Sequence, residues 1–212
     1  MFVASRYATQ ILPGSNVVAT RYATHKRSSS NVDKLHPYWV EFVYYIGGVF
    51  IENGNFYFIN NQYFLDFPDP MLMKNKEPID GYANGRPCFY AFKDQTTGLY
   101  WMIPFSSQVK KYRNYYNSKI QKYGKCDTIL FGHILGHEKA FLIQNMCPIT
   151  PNYIENAYID KKTNLPVRIE GSLEKELIKK AKHILALHRK GIKIIFPDIL
   201  SIEEKLLNIS NI

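Results

Sequence analysis

The 212-residue sequence is 46% hydrophobic and 21% charged, with 27 Lys+Arg against 18 Asp+Glu, a net charge of +9. That composition is ordinary for a soluble globular chain large enough to bury a core, and its basic balance attracts phosphate backbones or anionic membranes without saying anything of fold. The longest apolar run, Trp39 to Ile51, contains Glu41 and is far shorter than the roughly 20 residues a membrane span needs.

Residues 1–35 differ from the rest. Val3-Ala-Ser-Arg-Tyr-Ala-Thr9 returns as Val18-Ala-Thr-Arg-Tyr-Ala-Thr24, a repeat of 15 residues. Two copies are too few for a stacked-repeat architecture, and Pro13, Gly14 and the Ser28–Ser30 run add loop character. This stretch reads as poorly ordered. Arg6, Gln10 and Pro13 interrupt any apolar signal core. Residues 36–52 are aromatic and apolar, without an evident partner. Most of the positive charge falls later, in residues 53–212, so the chain divides into an N-terminal extension, 1–52, and a domain, 53–212.

In the domain, Phe56–Ile59 predicts a short strand and Asn60–Asp66 a turn or short helix carrying Tyr63. Pro68, Pro70 and Pro78 predict a long loop. Arg86–Phe92 and Leu99–Ile103, separated by Asp94-Gln-Thr-Thr-Gly98, predict a β-hairpin. Thr128–Leu135 and Lys139–Gln144 predict a second pair of strands around Gly136. Ser172 is a candidate N-cap, with Glu174 and Glu176 in the first turn, and Leu173, Leu177, Ala181, Ile184 and His188 recur at helical spacing before Gly191. A last short helix is predicted from Ser201, with Glu204 three residues on as a capping box. The sum is α+β: a strongly bent antiparallel sheet with helices on its flank.

Cys88, Cys126 and Cys147 are scattered and odd in number, with no metal-ligand spacing; neither a disulfide framework nor a zinc site is expected, and a reducing cytoplasm fits. No carboxylate cluster for two metals, phosphate loop or Gly-x-Ser-x-Gly stands out, so no cofactor or metal is expected. The segment Ile103-Pro-Phe-Ser-Ser-Gln-Val-Lys-Lys-Tyr112 sets Ser106, Ser107, Lys110 and Lys111 at a strand's exit. Hydroxyls there can bond phosphate oxygens while ammonium groups supply charge, although such a segment is more often a solvated polar turn. Beyond it, Lys110, Lys111, Arg113, Lys119, Lys122 and Lys125 interleave with Tyr112, Tyr115, Tyr116 and Tyr123, with no acidic residue from Ser106 to Lys125. Cations neutralise phosphates and tyrosines stack on unpaired bases, the footprint of single-stranded RNA binding. A solvated basic helix with core-packed tyrosines fits the pattern as well. His133 and His137 are either acid–base groups or, more often in such a setting, hydrogen-bonded structural residues.

Taken in order, these motifs resemble the ToxN/AbiQ toxins of type III, RNA-antitoxin systems. Phe56-Tyr-Phe-Ile-Asn-Asn-Gln-Tyr63-Phe-Leu-Asp-Phe67 is similar to that family's opening strand and tyrosine turn. Gly85-Arg-Pro-Cys-Phe-Tyr90 is similar to its Arg-Pro strand entry, and Pro104-Phe-Ser-Ser-Gln-Val-Lys110 to its Ser-rich turn ending in lysine. Ile143-Gln-Asn-Met-Cys-Pro-Ile149 resembles a later segment, and Glu176–His188 with Phe196-Pro-Asp-Ile199 the ending. The resemblance covers about residues 53–208. It implies a compact, SH3-like β-barrel endoribonuclease related in fold to MazF and Kid. The family cuts RNA without a metal, leaving 2′,3′-cyclic phosphate and 5′-hydroxyl ends. Its partners are cellular RNA and a repeated RNA antitoxin that inhibits it, is processed by it, and joins it in a closed toxin–RNA assembly. Its role is phage defence by abortive infection, or plasmid maintenance.

Carried over by residue, the resemblance implies catalytic roles for Tyr63, Tyr82, Ser106, Ser107 and a lysine. Val109 stands where the family has its lysine, so Lys110, with Lys111 second, takes that part. Arg86, Lys111, Tyr112, Arg113, Tyr115, Tyr116, Lys119 and Lys122 are the expected RNA-binding residues. The 15-residue repeat, about 45 nucleotides in the gene, is expected to be antitoxin repeat translated from an early start. The other readings are a non-catalytic RNA-binding module and a MazF-like ribonuclease with a protein antitoxin.

Overall fold

A computed structural model describes the backbone of residues 2–11, 17–26, 38–45, 51–52, 54–79, 82–169 and 171–210, and most side chains from residue 51 on. The chain divides into two compact units, Met1–Phe50 and Ile51–Ile212. In the first, β1 (Phe2–Ile11), β2 (Val17–Lys26) and β3 (Tyr38–Tyr45) form an antiparallel sheet in that order. The reading of residues 1–35 as poorly ordered stands beside two backbone strands there, β1 and β2.

The second unit opens with β4 (Phe56–Ile59) and α1 (Asn61–Asp66), where the Asn60 Oδ1 caps the helix by accepting from the Tyr63 N–H at 3.2 Å. The proline-rich loop contains a short hairpin that the sequence does not announce, β5 (Lys76–Ile79) and β6 (Tyr82–Asn84). Next come β7 (Pro87–Lys93) and β8 (Tyr100–Ser106), the expected hairpin. Its turn is held by Asp94, whose carboxylate accepts from the Thr96 N–H at 2.8 Å, and closes on Gly98 at φ 72°. The basic stretch is α2 (Val109–Tyr123), which ends on left-handed Gly124. The second expected pair is β9 (Ile129–Ile134) and β10 (His137–Leu142), followed by β11 (Cys147–Ile149) and β12 (Ile154–Ala157). Two helices close the chain, α3 (Ser172–Arg189) and α4 (Ile199–Ser210). Gly171, not Ser172, is the N-cap of α3: its φ of 74° starts the helix where a side chain would be strained. The last helix begins before Ser201, because the Asp198 carboxylate accepts from the Ser201 N–H at 3.3 Å.

The sheet runs β12-β4-β7-β8-β10-β9, with β11 also on β8. It is α+β and antiparallel, as the sequence implies, but the expected SH3-like barrel of MazF/Kid type is not closed. Closure needs the first and last strands to pair, and β12 and β9 remain at opposite ends. One face of β9 and β10, through Leu130 and Phe141, belongs to a core that includes Trp101, Leu177, Ala181 and Ile184; the other, through Ile129, Ala140 and Leu142, meets Tyr112 and Tyr116 of α2. Among the described residues no helix is long and apolar enough to cross a membrane.

His188 sits in the α3 seam, and its Nδ1 accepts from the backbone N–H groups of Ile194 (3.3 Å) and Ile195 (3.2 Å). That geometry requires the nitrogen to be unprotonated. Burial pushes the imidazole below its ordinary pKa, against the pull of Asp198 and Glu203. A depressed histidine binds fewer protons folded than unfolded, so its stability contribution is complete above about pH 6.5 and is lost as pH falls through the lower folded value. The urea midpoint is therefore expected to fall from pH 7.5 to pH 5, and to fall less in His188→Asn, whose carbonyl accepts without titrating. Equal pH dependence in the two proteins would refute this role.

Candidate functional site

The site begins where β8 leaves the core. Trp101, Met102 and Ile103 are fully buried, Ser106 is still buried, and Ser107 is exposed. The Ser106 Oγ accepts from the Gln108 N–H at 3.1 Å, a hydroxyl turn that swings the chain into α2. On the neighbouring strand, β10 pairs Ala140 with Ser106, and the same antiparallel register carries Lys139 to Ser107. The Lys139 ammonium donates to the Ser107 Oγ at 2.8 Å.

A cleft of about 340 Å³ opens at this pair. Its polar lining is Lys76, Arg86, Ser106, Ser107, Gln108 and Lys139, with His137 beside them; its apolar lining includes Phe58, Pro87, Leu135 and Tyr158. Among the described residues no carboxylate belongs to the lining. Arg86 is fixed by three donated bonds: its N–H to the Asn75 Oδ1 (2.9 Å), its Nε to the Lys74 carbonyl (3.3 Å) and its Nη1 to the Phe105 carbonyl (3.3 Å). The first turn of α2 follows directly and carries Lys110 and Lys111 but no acidic residue. Two cations there oppose the helix dipole, and an anion nearby relieves both. Three lysine and arginine cations, two hydroxyls and a helix start without acidic residues can together receive a phosphate.

The residues expected from sequence divide. Ser106, Ser107 and Arg86 line the cleft. Lys110 does not; it lies exposed on α2, and Lys139, from a strand 32 residues after Ser107, stands in its place. Tyr63 is fully buried in the core, donates its hydroxyl to the Pro148 carbonyl at 2.8 Å and packs on Phe67 and Tyr153. Burial, with the nearby Cys147 thiol, pushes its pKa well above the ordinary value, so it is no base at neutral pH. Tyr82 begins β6, but its side chain is outside the described residues.

On α2, Lys111, Tyr115 and Lys122 are exposed, with the Lys111 ammonium over the rings of Tyr112 and Tyr115. Tyr112 and Tyr116 are half-buried against the sheet. Arg113 pairs with Glu138 and lies over the Phe131 ring. Lys119 turns inward, donating to Thr128 (2.7 Å) and Gln144 (2.6 Å), and burial lowers its pKa. Of the paired histidines, His137 reaches the cleft and His133 does not line it.

No protein-family model matches the chain, and no curated protein matches it by sequence. Among solved structures it matches AbiQ, a lactococcal anti-phage endoribonuclease belonging to the type-III toxin–antitoxin system, with a TM-score of 0.56. The chain has the AbiQ fold. The match covers 74% of this chain and 98% of the AbiQ chain at 14% sequence identity. The second unit alone is about that share of the sequence. The likeness is therefore one of fold, in agreement with the order of motifs read from the sequence.

Lys76 and Lys139 are the polar groups that sequence reasoning did not bring to the site, and it offers His137 only as an acid–base alternative. Only strand register could have found Lys139. Titrating inorganic phosphate into the protein should shift the Ser107 and Lys139 amide resonances first. Lys139→Ala should weaken that binding about tenfold or more, the worth of a charged hydrogen bond, while Lys110→Ala changes it less than threefold. A larger effect at Lys110 would return the site to the helix.

Proposed function

We propose that this chain is the toxin of a type III toxin–antitoxin system: an endoribonuclease that cuts RNA without a metal, leaves 2′,3′-cyclic phosphate and 5′-hydroxyl ends, and is inhibited by a repeated RNA antitoxin that it also processes. The observation that carries the reading is the Lys139–Ser107 hydrogen bond at the mouth of a cleft lined by cations and, among the described residues, by no carboxylate, on the fold that AbiQ, an endoribonuclease, also has.

The chemistry follows from the lining. The RNA 2′-oxygen attacks the adjacent phosphorus, and the bond from phosphorus to the 5′-oxygen breaks. Charge grows on the phosphoryl oxygens, where Lys139 and Arg86 supply cations and the serine hydroxyls fix orientation. The proton leaves the 2′-hydroxyl and a proton reaches the departing 5′-oxygen. His137 is the imidazole of the lining and the side chain there able to accept and donate a proton in that transfer. The net charge of +9 and the exposed cations of α2 draw RNA to this face. Residues 53–212 carry the activity in this reading, in the cytoplasm and in a closed assembly with the antitoxin RNA, and the cellular consequence is phage defence.

α2 by itself favours a second reading, an RNA-binding module without cleavage, because Lys111, Tyr112 and Tyr115 form a cation–aromatic surface independent of the cleft. Incubating the full chain with RNA in EDTA separates the two. Cleavage with cyclic-phosphate and 5′-hydroxyl ends is expected, reduced about 10²–10³-fold in Ser107→Ala and Lys139→Ala. Tight binding with no cleavage would establish the binding module, and neutralisation by a neighbouring gene's protein would establish a MazF-like system.

A further inference from the structure

Phosphate chemistry leaves the apolar lining of the cleft unexplained. The β9–β10 hairpin turns through Leu135 and Gly136, at φ 49° and 78°. Two consecutive positive φ values define the turn whose favoured pair is Asn-Gly. A leucine is strained there, because its Cβ crowds the backbone in the left-handed region. Core burial does not compensate, since Leu135 is 48% exposed. Leu135 lines the cleft instead, beside His137 and Lys139 of the same hairpin.

Phe58 and Tyr158 line the same cleft and are both half-buried, edge to face with centroids 5.7 Å apart. The Phe58 ring is set by close approach to the backbone. A Cβ on Gly85 would come within 2.6 Å of the Phe58 Cδ1. Gly85 in turn precedes Arg86, whose guanidinium is anchored at the end of β8. Aromatic faces and an exposed aliphatic tip thus stand within one small cleft beside hydroxyls and cations.

We propose that this apolar lining is a nucleobase pocket: the base next to the scissile phosphate of a single-stranded RNA packs against the perpendicular rings of Phe58 and Tyr158, stacking on the face of one and meeting the other edge-on, and is covered by Leu135, while Arg86, Ser107 and Lys139 hold the phosphate. The proposal rests on the cleft's being a phosphate site and adds that the ligand must present an unpaired base. A base within a duplex keeps its faces stacked on its neighbours, so the pocket selects single strands. Leu135 is then a positioning residue, retained at a strained turn for the ligand rather than for the fold.

The test uses the full chain and two fluorescent probes of equal length, a single-stranded RNA of mixed sequence and an abasic ribose–phosphate chain, with affinity read by anisotropy. Wild type should bind the RNA roughly 10- to 100-fold more tightly than the abasic chain. Leu135→Asn and Phe58→Leu should each remove much of that difference by weakening RNA binding, leaving affinity for the abasic chain within twofold. Leu135→Asn should also raise the melting temperature, since asparagine suits the turn; misfolding therefore cannot account for its lost affinity. A raised melting temperature with unchanged RNA affinity would overturn the pocket. So would equal weakening on both probes. Retained binding of the abasic chain by Lys139→Ala would instead overturn the phosphate site, and the pocket with it.

Discussion

The cleft depends on how β8 shares one edge between two partners. Its exit pairs with β10 at Phe105 and Ser106, and its first half pairs with β11 at Tyr100 to Met102. Between them the chain makes a single turn of 3-10 helix, Ile143–Asn145, and returns to the same edge. Those three residues are the three by which the register slips between Ala140↔Ser106 and Cys147↔Met102. The turn is buried, and Gln144 holds it: its carbonyl accepts from the Phe196 N–H at 2.8 Å and its amide oxygen from Lys119 and Thr128. A buried polar side chain without these bonds would be costly. The same side chain that fixes the turn, through Lys119, also fastens α2 to the sheet.

Charge is distributed in a matching way. Away from the cleft, several cations are paired: Lys180 with Asp127, and Arg189 with both Asp94 and Glu203 at the junction of the β7–β8 turn, α3 and α4. Burial works against the charged form of Asp94, but the Thr96 N–H and Arg189 outweigh it and hold its pKa below the ordinary value. In the cleft, Lys76, Arg86 and Lys139 have no carboxylate among the described lining residues, and the helix that follows carries two lysines in its first turn. Unbalanced like charge of this kind destabilises a fold unless an anionic ligand completes it, and the hydroxyl-bearing turn at Ser106 and Ser107 gives that ligand a fixed seat.

Much of this was legible in the sequence because it is local. The two hairpins, the capped turn at Asn60, the apolar face of α3 and the exposed exit of β8 follow from alternation, spacing and turn residues. The motif order pointed to the fold that the structural match to AbiQ then showed. What failed is non-local. Barrel closure depends on whether β12 meets β9, which no local pattern encodes. Tyr63 reads as a polar aromatic in a turn, but its hydroxyl finds the Pro148 carbonyl 85 residues away and the ring becomes core. The lysine of the cleft was sought on the helix after Ser107, whereas register supplies it from β10. Lys119 is expected from sequence among the RNA-binding cations, whereas it turns inward to Thr128 and Gln144.

The central claim is that the reacting phosphate lies against Ser107 and Lys139, at the exit of β8. The most direct measurement is a structure of the full chain bound to the proposed antitoxin RNA with a 2′-deoxy nucleotide at the processing position, which removes the attacking hydroxyl. The account predicts the scissile phosphate within hydrogen-bonding distance of the Ser107 Oγ and the Lys139 Nζ. A scissile phosphate seated on the exposed side of α2, with the cleft occupied by no part of the RNA, would contradict it.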